Sequence, residues 1–90
     1  MENLIEDFEN NQFDVLKDDN RFIITQHSGF EIVGSSVEEL ALSFIKTNKK
    51  HNYQNCMMIW DIIKVYLTED FYEKYKVDIE EIENSDNTQK

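Results

Sequence analysis

The stretch FDVLKDDNRFIITQHSGFEIVGSSVEELALSFIKT, residues 13–47, changes its hydrophobic period once, and that change decides the fold. In its first part Phe13 and Val15 alternate with Asp14, and Phe22 and Ile24 alternate with Ile23 and Thr25, the period-two pattern of strands. Asp18-Asp19-Asn20 reads as a turn between these runs. Ser28-Gly29 reads as a two-residue hairpin loop before a third run carrying Phe30 and Ile32. In the second part Val37, Leu40, Ala41, Phe44 and Ile45 fall at i, i+3, i+4, i+7 and i+8, an apolar stripe of helical period. Ser36-Val37-Glu38-Glu39 precedes it with capping-box spacing, the Ser36 side chain accepting from the N3 amide while Glu39 reaches back. The spacing predicts a three-stranded antiparallel meander, its first strand the least defined, and then a helix to about Asn48.

On the N-terminal side, Leu4, Ile5 and Phe8 share one side of a short helix that Asn10 and Asn11 end. On the C-terminal side, TNKKHNYQN reads as a polar loop, with Lys46, Lys49 and Lys50 placed to favour the negative end of the preceding helix. A second helix carries Ile59, Ile62, Ile63, Tyr66 and Leu67 on one side. Thr68 is an N-cap for a third running through FYEKY, which either continues through VDIEEIE or restarts after Asp78. The expected fold is therefore α+β: a small three-stranded antiparallel sheet in the order α-β-β-β-α-α, with room for a further C-terminal helix, and helices packed on one face. Residues 1–83 form one domain, and 84–90 read as a disordered acidic and polar tail.

Composition narrows the function classes. Ninety residues make one small domain, with six Phe, four Tyr and one Trp to build a single core. The lone Cys56 excludes an intramolecular disulfide, the acidic N-terminus does not read as a signal peptide, and Asp61 interrupts the longest apolar run, CMMIWDII. A cytoplasmic location is the expectation. Nine Lys and Arg stand against 19 Asp and Glu, a net charge of −10. The imbalance lies at the ends: residues 1–20 and residues 69–86 each carry −6, whereas residues 21–68 carry +1. Such a field repels nucleic acid and anionic membrane and attracts basic partners.

The catalytic inventory is thin. His27, His51 and Cys56 form no nucleophile pattern, and together they are too few for a four-ligand zinc site of N and S donors. Cys56 reads as a small buried hydrophobe, and His27 and His51 as surface loop residues. Two glycines cannot build a phosphate-binding loop. The expectation is a protein that is not an enzyme and needs no cofactor or metal. The Lys residues and His51 of the 46–53 segment are a weak nucleic-acid footprint in a chain of net −10, and read as a solvated loop.

Two surfaces remain. Tyr72, Tyr75, Ile79 and Ile82 would line one helix face, with Glu69, Glu73, Glu80 and Glu83 on another, interrupted by Lys76. Asp78, Glu80, Glu81 and Glu83 crowd together at a cost of a few tenths of a kcal/mol per like-charge pair. Folding does not ask for this crowding, but a row of carboxylates at phosphate-like spacing meets the Lys and Arg side chains that normally hold a nucleic acid. Acids recur at the other end in Glu2, Glu6, Asp7 and Glu9. The candidate acidic contacts are Glu69, Asp70, Glu73, Asp78, Glu80, Glu81 and Glu83, set against the plain reading of a solvated face. A second candidate is apolar: with the isoleucines turned inward, Met57 and Trp60 would face a partner or a second copy, unless they fill the core.

The strand and capped helix of GFEIVGSSVEELALSFIKT, followed by the acidic EDFYEKY, give an element order that resembles the small acidic anti-CRISPR proteins of phages and prophages. In particular it resembles the type II-A inhibitors that mimic DNA and occupy the PAM-reading surface of a Cas effector. The likeness covers most of the chain in element order and rests on no diagnostic motif. It departs at KTNKKHNYQN, where those inhibitors are acidic. It implies a DNA mimic, with Glu69, Asp70 and Glu73 as contacts. The leading expectation is thus a non-catalytic inhibitor, of anti-CRISPR or other phage anti-defence type, that binds a basic nucleic-acid-handling protein. The alternative is an immunity-like, antitoxin-like or homodimeric regulatory module using Met57 and Trp60.

Overall fold

The first helix, α1 (Glu2–Asn10), buries Leu4 and Phe8 one turn apart and ends in a built-in reversal. Gln12 adopts φ 69°, and its N–H donates to the Glu9 carbonyl while that of Phe13 donates to the Phe8 carbonyl. This is a Schellman cap, completed by its apolar contact: the Phe8 and Phe13 rings meet edge to face at 5.4 Å. The cap aims the chain into the sheet. The computed structural model describes residues 2–25, 31–51 and 57–87; the expected Ser28-Gly29 loop, His27 and Cys56 lie outside them.

The meander is as the alternation predicts. β1 (Asp14–Asp18), β2 (Arg21–Thr25) and β3 (Glu31–Gly34) form one antiparallel sheet in that order. Asp18 pairs with Arg21, so Asp19-Asn20 is the two-residue loop, and Asp19 takes φ 57°, a left-handed conformation that Asp tolerates better than most residues. The register aligns Val15, Ile24 and Ile32 across the sheet on the core side. It aligns Leu16, Ile23 and Val33 on the other side, where Leu16 is 62% exposed.

α2 (Val37–His51) runs beside β3 and buries Leu40, Ala41, Phe44 and Ile45 of the expected stripe, with Val37 half-buried against the core. The Val33 N–H donates to Ser43 Oγ at 3.1 Å, tying the outer strand to this helix. Ser36 Oγ accepts from the Glu39 N–H at 3.2 Å, as a capping box requires. The return half differs. Glu39 accepts from the N–H and hydroxyl of Ser35, at 2.8 and 2.7 Å, not from the Ser36 amide. These bonds favour the ionised form, so the Glu39 carboxyl titrates below its ordinary value. The helix also runs to His51, beyond the expected end near Asn48, so the first part of the predicted polar loop, His51 included, is helical. The lysines at its end suit the negative pole of the helix.

α3 (Met57–Lys64), α4 (Glu69–Lys74) and α5 (Lys76–Asn87) complete the order, so the third and fourth expected helical segments are distinct. α5 continues to Asn87, past the boundary expected at 83. One core takes residues from every helix: Leu4, Phe8, Phe44, Trp60, Phe71 and Ile82 are among its members, beside Phe13, Ile24 and Ile32 from the sheet side.

Candidate functional site

The acidic stretch begins with a short helix that its cap defines. Thr68 Oγ1 accepts from the Phe71 N–H at 3.2 Å, and Glu69 and Asp70 occupy the first turn, where the helix dipole favours carboxylates. Phe71 is the anchor, 5% exposed and packed against the Tyr75 ring at 4.7 Å. Tyr75 then ends α4, donating its N–H to the Phe71 carbonyl, and starts α5, accepting from the Ile79 N–H. The helix therefore restarts at Lys76 and not after Asp78. Glu69, Glu73, Glu80 and Glu83 do not form one straight ridge, because the break at Tyr75 falls between the second and third of them.

Behind this surface the polar tips of three aromatic residues are all paired. The Tyr72 hydroxyl donates to the Lys64 carbonyl at 2.9 Å. Burial, and next the nearby Glu83 carboxylate, push its pKa up, with Lys64 opposing. The Trp60 indole N–H donates to Glu83 at 3.3 Å. At the other acidic end, the Tyr66 hydroxyl donates to Asp7. α3 and the turn after it are thus joined to both acidic ends of the chain.

The fold sorts the carboxylates into three groups. Glu73, Glu80 and Glu83 border a shallow groove of about 340 Å³, with Tyr72 and Ile79 as its apolar lining and Lys76 as its one cation. Asp70 meets Glu38 and Glu39 around a cleft of about 400 Å³, which Leu42, Phe71 and Lys74 also line. Glu2, Glu6 and Glu9 of α1 surround a third depression with Ile5, Lys17 and Phe22. Glu69, Asp70, Glu73, Glu80, Glu81 and Glu83 are exposed as the sequence suggests, whereas Asp78 is half-buried. Among the described residues, Glu69, Asp70, Glu73 and Glu80 make no hydrogen bond or ion pair, unlike Asp18, which pairs with Arg21, and Asp61, which pairs with Lys64. Glu38 was not expected beside Asp70, and no spacing rule connects residues so far apart in the chain.

The apolar candidate needs correction. Trp60 is fully buried and stacks on Phe44 at 5.9 Å, so it cannot face a partner. α3 turns Ile59, Trp60 and Ile63 inward, because the indole fills the space between α2 and α5 and its N–H has an acceptor there. Met57 is half-buried against the core, whereas its neighbour Met58 is 50% exposed. Among the described residues no group of three His, Cys, Asp or Glu could hold a metal ion, and no helix is long and apolar enough to cross a membrane.

No family model matches the chain, nor does any curated protein or solved structure. The surface itself is what bears on function.

Proposed function

We propose that this protein is a non-catalytic acidic inhibitor that binds a basic nucleic-acid-handling protein, with its carboxylates standing where DNA phosphates would. The observation that carries the reading is the set of exposed carboxylates on α4 and α5 that have no cationic partner among the described residues: Glu69, Asp70, Glu73 and Glu80. Internal pairing would spend their field on stability; left unpaired, they project it outward, where it steers a basic protein into contact. The element order adds the resemblance to phage anti-CRISPR proteins, which makes a Cas effector the first partner to try.

The test is binding of a purified Cas effector, and capture from nuclease-treated bacterial lysate, at about 0.1 M and about 0.5 M salt, where the screening length falls from roughly 10 Å to roughly 4 Å. A nucleic-acid enzyme held at low salt, released at high salt, displaced by duplex DNA and lost with Glu69→Lys or Glu73→Lys supports the reading. A partner indifferent to salt, DNA and both substitutions overturns it.

A further inference from the structure

We infer that the groove between α4 and α5 seats one arginine side chain of the basic partner, an inference that rests on the acidic-binder reading above and sharpens it. The groove's lining is of two kinds. Tyr72 and the buried Ile79 supply apolar surface, and Glu73, Glu80 and Glu83 supply three carboxylates, with Lys76 alone opposing them. Its occupant should therefore be long, apolar along its stem and cationic at its head, which describes Arg and Lys.

Three features favour Arg. Tyr72 lines the groove, and a planar guanidinium stacks on an aromatic ring where an ammonium does so less well. Carboxylates on more than one side suit a five-donor fork better than a point charge. A guanidinium is also the more weakly hydrated cation, so it loses less on entering a partly apolar site. Two of the groove's lining residues are positioned by hydrogen bonds, the Tyr72 hydroxyl to the Lys64 carbonyl and Glu83 from the Trp60 indole. Lys76 forms no hydrogen bond or ion pair among the described residues, and three carboxylates against this one cation leave the rim with a net negative charge.

The test titrates hexa-arginine and hexa-lysine peptides into isotopically labelled full-length protein at low salt, followed by NMR. The arginine peptide should bind about threefold more tightly or better, the scale of one exposed charge pair, and shift Tyr72 and Ile79 side-chain resonances most. Glu80→Gln should weaken it about threefold and Lys76→Gln tighten it by a similar factor. Glu31→Gln, an exposed carboxylate of β3 outside the groove, should change it little. Equal affinity for both peptides, with equal loss at Glu31→Gln and Glu80→Gln, overturns the groove and leaves the general acidic reading standing. If neither peptide binds at low salt, both readings are overturned.

Discussion

The indole N–H of Trp60 donates to the carboxylate of Glu83 at 3.3 Å, so a side chain buried in the core reaches out to hold a residue of the acidic surface. Glu83→Leu should leave that N–H unpaired and cost about 1–3 kcal/mol, whereas Glu83→Gln keeps an acceptor in place and should cost less. Urea unfolding of the two variants measures the difference. Equal midpoints for both would mean that the bond carries no stability.

Gln12 holds a left-handed conformation, φ 69°, at the cap between α1 and β1. An L side chain there costs about 1 kcal/mol that glycine avoids, and glycine is the preferred residue at this position of a Schellman cap. Gln12→Gly should therefore raise the thermal midpoint, offset in part by the greater freedom of glycine in the unfolded chain. A lower midpoint would contradict the cap.

Gly34 is the last residue of β3, at the point where the chain turns into α2. A Cβ there would lie 2.7 Å from the Leu40 backbone N and 2.8 Å from the Glu39 backbone carbon. Backbone cannot swing aside as a flexible side chain can. Gly34→Ala should destabilise the domain by about 1–3 kcal/mol, the usual range for overpacking, read as a lower unfolding midpoint.

The Tyr66 hydroxyl keeps its proton to a higher pH than usual. Its hydrogen bond to Asp7 is the first cause, followed by burial and by the charges of Asp7 and Glu6. Because the folded-state value is raised, the stabilisation is complete below the unfolded value near 10 and is lost as pH climbs through the folded one. The gap in melting temperature between the wild type and Tyr66→Phe should hold steady to about pH 9 and shrink above about pH 10. A gap that stays constant through alkaline pH would show that the bond to Asp7 is not what Tyr66 contributes.

Much of the fold is legible in the chain because the relevant signals are local. The switch from alternation to helical spacing at Gly34-Ser36 and the Thr68 cap depend on neighbours a few residues away and stand where their patterns put them, and the turn expected over Asp18-Asp19-Asn20 tightens to Asp19-Asn20, with Asp18 in β1. The ends of helices were less legible. α2 passes Asn48, and the last segment breaks at Tyr75, a residue whose type suggests no stop.

The candidate site divides in the same way. The abundance of acids at both ends, and the exposure of Glu69, Glu73 and Glu80, follow from sequence, since charges crowded at these spacings are costly to bury. Their grouping does not. Only the tertiary structure sends Asp70 to meet Glu38 and Glu39, gathers Glu73, Glu80 and Glu83 around Tyr72 and Ile79, and turns Trp60 from a supposed binding residue into a core residue. Periodicity says that a helix has an apolar side; the shape of the space among its neighbours decides which residues fill it. For Trp60 that space lay against Phe44 and within reach of Glu83, and neither partner is near it in the chain.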